Sequence, residues 1–372
     1  MSRWYRTVPF SSDREARRVE RWEYRPARGA ARTFEVAVQA GKPLDVLGLK
    51  GTDLTEIRDY AELLQRTARE LYGPSSGATD QRACPACLSE LKSSTTELHV
   101  FGVPYVRCAE CGHVTVGRRP DAAALARVFA ESDQHSSVYV DRAALETRMK
   151  QIIAPKLDWS MEHYRRRYGR APARVLDVGA GAGHFLAGAE RRGVGVEGFE
   201  KSRASRAFAK EVFGLELRSD DFTAAKVELA DVVTFWGLLE YLQEPRGFLA
   251  AARRAIAADG MLIVEVPRGD ALGTRVQAQV GAIVARHMDP TTHVNAFSDE
   301  SICTALVEEG FGPVAAWYFG MDIYEALVQE ALRQNDPEFL EGTAGLIPLL
   351  QEAADFGRQC DDVVIAAVPV EG

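Results

Sequence analysis

Val175-Leu176-Asp177-Val178-Gly179-Ala180-Gly181-Ala182-Gly183-His184-Phe185 decides the fold of this 372-residue chain. An apolar run suited to a buried strand enters three glycines at alternate positions and then a helix. Glycine there lets the backbone turn sharply and lets a ligand approach without meeting Cβ atoms. A dinucleotide-binding loop would carry GxGxxG, with a pyrophosphate over the helix N-terminus. Here the spacing is GxGxG, with Asp177 two residues before the first glycine. Outward from the loop, the short runs Arg174–Val178, Val194–Phe199, Asp231–Trp236 and Met261–Val266 alternate with segments at helical spacing. That alternation predicts an α/β fold built on a doubly wound parallel sheet.

The second strand runs Val194-Gly195-Val196-Glu197-Gly198-Phe199-Glu200 and ends in an acid twenty-one residues after Gly179. A carboxylate at that strand end can accept both hydroxyls of a ribose, and Glu200 suits this better than Glu197, which falls inside the strand. The loop resembles motif I of the class I S-adenosylmethionine (SAM)-dependent methyltransferases, and the resemblance extends over residues 174–318. It implies a Rossmann-like sheet that binds SAM through Asp177, Gly179, Gly181, Gly183 and Glu200. In Ser219-Asp220-Asp221-Phe222 it implies that Asp221 accepts from the adenine amine and that Phe222 lies against the ring. At the end of the fourth strand it places Trp236 and Gly237 on the cofactor. The family often continues that strand with Leu-Glu-His, whereas this chain has Leu239-Glu240-Tyr241.

Methyl transfer is an in-line displacement served by positioning, but a hydroxyl or acidic carbon must also lose a proton. Among the seven histidines, His293 is the leading candidate for that base. It stands in Arg286-His287-Met288-Asp289-Pro290-Thr291-Thr292-His293-Val294-Asn295-Ala296-Phe297-Ser298, after the fifth strand. Its tail resembles the H-x-x-x-F-S element of sugar and small-molecule methyltransferases. Ser298 is placed to cap the helix that follows, with Asp299 and Glu300 in its first turn. The alternative is a loop histidine that satisfies local backbone. Tyr241 and His287 are the second choices for catalysis.

Cys84-Pro85-Ala86-Cys87 and Cys108-Ala109-Glu110-Cys111 are two CxxC turns with twenty residues between them. Each can present two thiolates to one ion, and together they complete a closed, structural four-cysteine zinc site. Two unrelated thiol pairs, or a redox CxxC, would be the plainer reading. The expected organisation is a mostly helical extension over 1–80, a small zinc-ribbon-like domain over 81–120 and a helical linker or lid over 121–173. The SAM-dependent methyltransferase domain would then fill 174–372, with a helical insertion at 321–360 that covers an acceptor pocket or forms a homodimer contact.

The net charge of −8 argues against a partner with a phosphate backbone, although residues 1–33 carry nine arginines against four acids. No apolar stretch is long enough to span a bilayer, so a cytoplasmic protein with reduced thiols is expected. The order of parts resembles bacterial methyltransferases of sugars, nucleotide-linked sugars and related small molecules, acting by O- or C-methylation. Two alternatives are an RNA methyltransferase that grips its substrate through the zinc unit, and a SAM-binding scaffold without catalysis.

Overall fold

The computed structural model describes residues 3–7, 17–26, 29–92, 94–131, 140–279 and 287–371. The N-terminal basic run is therefore described only in part, and residues 132–139 of the expected linker lie outside the described residues.

The glycine loop leaves β9 (Arg174–Val178), whose side chains are buried from Val175 onward. Strands β10 (Gly195–Phe199), β11 (Ala230–Trp236) and β12 (Ile256–Pro267) lie parallel to it in the order β12-β11-β9-β10. The third strand expected before Ser219 is reduced to a single parallel bridge between Phe199 and Arg218. Beyond β12 the sheet continues antiparallel through β15 (Asp362–Pro369) and β14 (Phe311–Phe319).

The sheet then continues where a helical extension was expected. β1 (Trp4–Thr7), β2 (Arg17–Tyr24) and β3 (Arg32–Ala40) are strands, and β3 runs parallel to β14, which gives a sheet of nine strands among the described residues. Val36 and Val38 of β3 are buried, and Trp22 of β2 is 1% exposed with its indole N–H on Glu20. The alternation of buried and exposed residues along these strands has a period of two, which arginine-rich composition hides from a helical template. Among the described residues of this region the helices lie in its second half, at Val46–Lys50 and Leu54–Tyr72.

Three helices, Asp322–Gln334, Glu338–Thr343 and Ile347–Phe356, separate β14 from β15. Tyr324, Val328 and Leu332 pack with Leu54, Ile57 and Ala61, so the inserted helices and the N-terminal helix share one core. The Tyr324 hydroxyl donates to the Gly51 carbonyl at 3.0 Å across that junction. Among the described residues no helix is long and apolar enough to cross a membrane.

The cysteine unit is not self-contained either. Its strands β5 (Thr95–Val100), β6 (Val103–Arg107) and β7 (Val114–Val116) form a sheet completed by β13 (Asn295–Ala296), which belongs to the loop after β12. The helix Ala154–Tyr168 covers one face of the main sheet, from Lys156 at the strand C-termini to Tyr164 and Tyr168 against Asp231 and Gly260 at the other end.

If the N-terminal strands belong to the main sheet, Trp22→Ala should lower unfolding free energy by about 3–5 kcal/mol. Urea titration followed by far-UV circular dichroism measures this; a loss below about 1 kcal/mol would make β1–β3 a loose appendage.

Candidate functional site: a glycine loop, a paired acceptor edge and four thiols

Gly179, Gly181 and Gly183 all adopt positive φ, at 75°, 53° and 79°. A Cβ on Gly179 would meet Leu238 at 3.0 Å and one on Gly183 would meet Ala209 at 3.1 Å, whereas one on Gly181 would meet nothing within 4 Å. The outer glycines thus allow close packing, and the middle one borders open space fit for a ligand. Glu200 closes the loop: its carboxylate accepts from the Gly181 N–H at 2.8 Å and the Ser202 N–H at 2.6 Å. Each oxygen keeps a lone pair for a hydroxyl donor, which suits a ribose. Burial pushes the Glu200 pKa upward. Glu197 is held by Arg174 and Arg218 and takes no part.

Asp177 is 2% exposed and accepts from the Thr234 hydroxyl at 2.7 Å, tying β9 to β11. Burial pushes its pKa up to about 7. Asp221 is exposed and accepts from the Thr223 backbone and hydroxyl. Phe222, expected against an adenine, is instead 4% exposed and packed among Phe199, Phe235 and Phe248. Its ring is committed to the core, because burying an aromatic ring there removes a large apolar area from water.

Trp236 ends β11 with its ring between Phe185 and the Lys156 ammonium, 4.7 Å from the ring centre, and its buried indole N–H has no hydrogen-bond partner. Gly237 follows with φ 61°. The open face at Gly181, the two-point carboxylate of Glu200 and this unused donor together fit a nucleoside bound at the strand C-termini.

Residues that sequence patterns did not single out complete the edge. Lys156 lies 2.7 Å from Glu265 at the end of β12. Burial raises the Asp362 pKa to about 8 and lowers that of Lys42 to about 8. Burial also holds the Glu240 carboxyl well above its usual range. An acid inside the apolar run Met261–Val266 was a readable signal for Glu265. Nothing in the local sequence marks Lys42, which follows β3.

His293 and Tyr241, though 52 positions apart, come together with ring centres 5.6 Å apart in an edge-on arrangement. The His293 Nδ1 lies 2.8 Å from the His287 carbonyl. A carbonyl only accepts, so Nδ1 carries the proton and Nε2 keeps its lone pair. Burial lowers the imidazole pKa below its ordinary value, so the ring is neutral at pH 7. His287 is 7% exposed and turned inward, with Nε2 2.9 Å from the Arg268 carbonyl, away from a role beside Tyr241. The His293 loop is fixed by the Tyr72 hydroxyl on Pro290 O and the Tyr105 hydroxyl on His293 O, both at 2.7 Å. Ser298 caps the helix Asp299–Glu308, as expected, through reciprocal bonds with Ser301.

The four thiols of Cys84, Cys87, Cys108 and Cys111 are buried, with all sulfurs within 4.8 Å of one another. The Cys84–Cys111 and Cys87–Cys108 separations are 3.6 and 3.7 Å. A tetrahedral zinc with Zn–S near 2.3 Å requires sulfur–sulfur edges of about 3.8 Å. The donor set therefore fits zinc. Leu88 and Gly112, each directly after a CxxC, adopt φ of 61° and 70° and turn the two knuckles.

Residues 156–316 match the family model described as "Methyltransferase domain". That span contains the glycine loop, Glu200, Trp236, Tyr241 and His293. A malonyl-[acyl-carrier protein] O-methyltransferase from Laribacter hongkongensis is 29% identical over 203 residues, which are 50% of this chain and 63% of that protein. Among solved structures, magnesium protoporphyrin IX methyltransferase from Synechocystis PCC 6803 with bound SAH covers 67% of this chain and 100% of its own, at 13% identity and a TM-score of 0.45. A TehB-like SAM-dependent methyltransferase from Corynebacterium glutamicum covers 64% and 100%, at 14% identity and a TM-score of 0.40.

Because the folded state raises the Asp177 pKa to about 7, it favours the protonated carboxyl. Stability from this group is complete below about pH 4 and is lost as pH rises through 7. Asp177→Asn removes that loss, so D177N should gain a few kcal/mol on the wild type between pH 4.5 and 8 in urea titrations. An identical difference at both pH values would contradict a buried, proton-holding carboxyl.

Proposed function

We propose that the protein transfers the methyl group of SAM to a small-molecule acceptor, a sugar, nucleotide-linked sugar or secondary metabolite, with His293 as the base. The observation that carries this reading is the pairing of Tyr241 with a neutral His293, whose Nε2 is unprotonated, at the same sheet edge as the Glu200-locked glycine loop. When bound, SAM supplies an electrophilic methyl on a sulfonium. Glu200 holds the ribose hydroxyls, Asp221 lies near the adenine amine, and the backbone at Gly181 leaves room for the amino-acid portion. On the acceptor side His293 Nε2 takes the proton released by the attacking oxygen or carbon, and Tyr241 packs against the imidazole. Lys156 pairs with Glu265 beside Trp236.

The four cysteines hold a structural zinc in this reading. All four coordination positions would be taken by thiolates, so the metal supports the fold rather than the chemistry. The fastening of this unit to the His293 loop favours support of the cleft over a free arm for gripping RNA.

His293→Ala should lower acceptor-dependent production of S-adenosylhomocysteine by about 100-fold or more while SAM binding changes less than about twofold. Wild-type turnover should fall on the acid side, at a pH below that of an ordinary imidazole, since burial lowers the His293 pKa. Undiminished turnover by H293A would remove this histidine as the base. The metal is checked separately: elemental analysis should give about one zinc per chain, and Cys84→Ser or Cys108→Ser should lose most of it. Wild-type zinc content in either variant would refute the four-thiolate site.

A further inference from the structure

Asn295 is completely buried and uses its whole amide. Its Nδ2 donates to the Leu242 carbonyl at 2.6 Å and the Leu239 carbonyl at 3.3 Å, and its Oδ1 lies 3.1 Å from His113 Nε2. The two carbonyls fix the orientation of the amide: nitrogen must face them, so oxygen faces His113, which donates from Nε2. His113 stands two residues after Cys111, and its carbonyl accepts from the Cys108 N–H at 2.8 Å, closing the second knuckle. Leu239 and Leu242 bracket Tyr241. Asn295 follows His293 by two residues in the same loop. One side chain thus touches the knuckle, the turn that carries Tyr241 and the segment that carries His293.

The surrounding bonds run the same way. Asn295 and Ala296 pair with Thr115 and Val114 of β7. The Val116 N–H and the Thr115 hydroxyl both donate to the Val294 carbonyl, at 3.0 and 3.1 Å. The Ser298 hydroxyl donates to the Cys111 carbonyl at 2.7 Å. A unit of about forty residues has a small apolar core of its own, so a metal bound by its four thiols would add to what holds such strands in place.

We propose that Asn295 is a positioning residue through which the metal-bound knuckle holds the 239–242 turn and the His293 loop face to face, so that metal loading sets the geometry of the acceptor side. This rests on the reading of Tyr241 and His293 as the acceptor-side pair, but its test does not require methyl transfer. Removing the metal would free β7, withdraw His113 from Asn295 and release both segments, while the glycine loop, held by Glu200, would stay as it is.

The test is amide hydrogen exchange by mass spectrometry on the full zinc-loaded chain, its Asn295→Ala and Asn295→Asp variants, and wild type stripped of metal by a chelator. Asn295→Asp can still accept from His113 but has no donor for the two carbonyls. Both variants should keep wild-type zinc content and exchange roughly tenfold faster over 237–244, with residues 176–186 unchanged. Stripping the metal from wild type should speed 237–244 and 288–297 together, and stripping N295A should add little more at 237–244. Faster exchange confined to 82–119 on stripping would overturn the proposal, as would wild-type rates over 237–244 in N295D. Should N295A fail to fold, N295D and the stripped wild type still decide. Normal coupling together with a fully active H293A would spare this inference and fail only the catalytic reading.

Discussion

The meeting of the Tyr241 turn with the His293 loop depends on a ladder two residues long. Asn295 and Ala296, from the loop after β12, pair with Thr115 and Val114 at the end of the cysteine unit. So short a pairing has little stability of its own. It persists because buried hydroxyls and amides from both partners satisfy the backbone around it, including Tyr105 on His293 and Ser298 on Cys111. A buried polar network of this kind is demanding: fully satisfied it fixes one arrangement, and partly broken it leaves several unpaired groups at once. The sheet, the knuckles and the His293 loop are therefore one mechanical unit.

The same edge gathers ionisable groups from distant parts of the chain. Lys156 comes from the helix before β9, Glu265 from β12, Asp362 from β15 and Lys42 from the turn after β3. Sheet register explains the convergence: Trp236 lies opposite Glu265, Pro267 opposite Asp362, and Phe319 opposite Asp362 on its other side. Trp236, Pro267, Phe319 and Asp362 end or begin their strands, and Glu265 stands two residues before the end of β12. Lys156 and Glu265 form an ion pair, and burial raises the pKa of Asp362 and of Glu240.

The parallel core of the fold was legible because its signals are local. Apolar runs, the three glycines and an acid at the end of β10 sit within about thirty residues and carry their own physical reasons. The cysteine pairs were legible for the same reason. What escaped depends on long-range pairing. β1–β3 read poorly because their arginines and glutamates mask a two-residue alternation whose meaning emerges only when β3 meets β14. Phe222 showed an aromatic residue at the right position, but not that three other phenylalanines would claim its ring. His293 led His287 in sequence by its H-x-x-x-F-S context alone, and the carbonyls they face separate them in the fold: Arg268 turns one inward, and His287 itself leaves Nε2 of the other unprotonated. Asn295 gave no signal at all, since its partners lie at positions 113, 239 and 242.

All of this chemistry presumes that the open space beside Gly181 takes SAM. Calorimetric titration of the folded, zinc-loaded protein with SAM and then with S-adenosylhomocysteine tests that most directly. Both should bind saturably, one to one and in the micromolar range, and Glu200→Ala should bind them much more weakly. Absence of binding to a protein that is folded and carries its metal would leave the loop without a nucleoside to hold and the proposed methyl transfer without its donor.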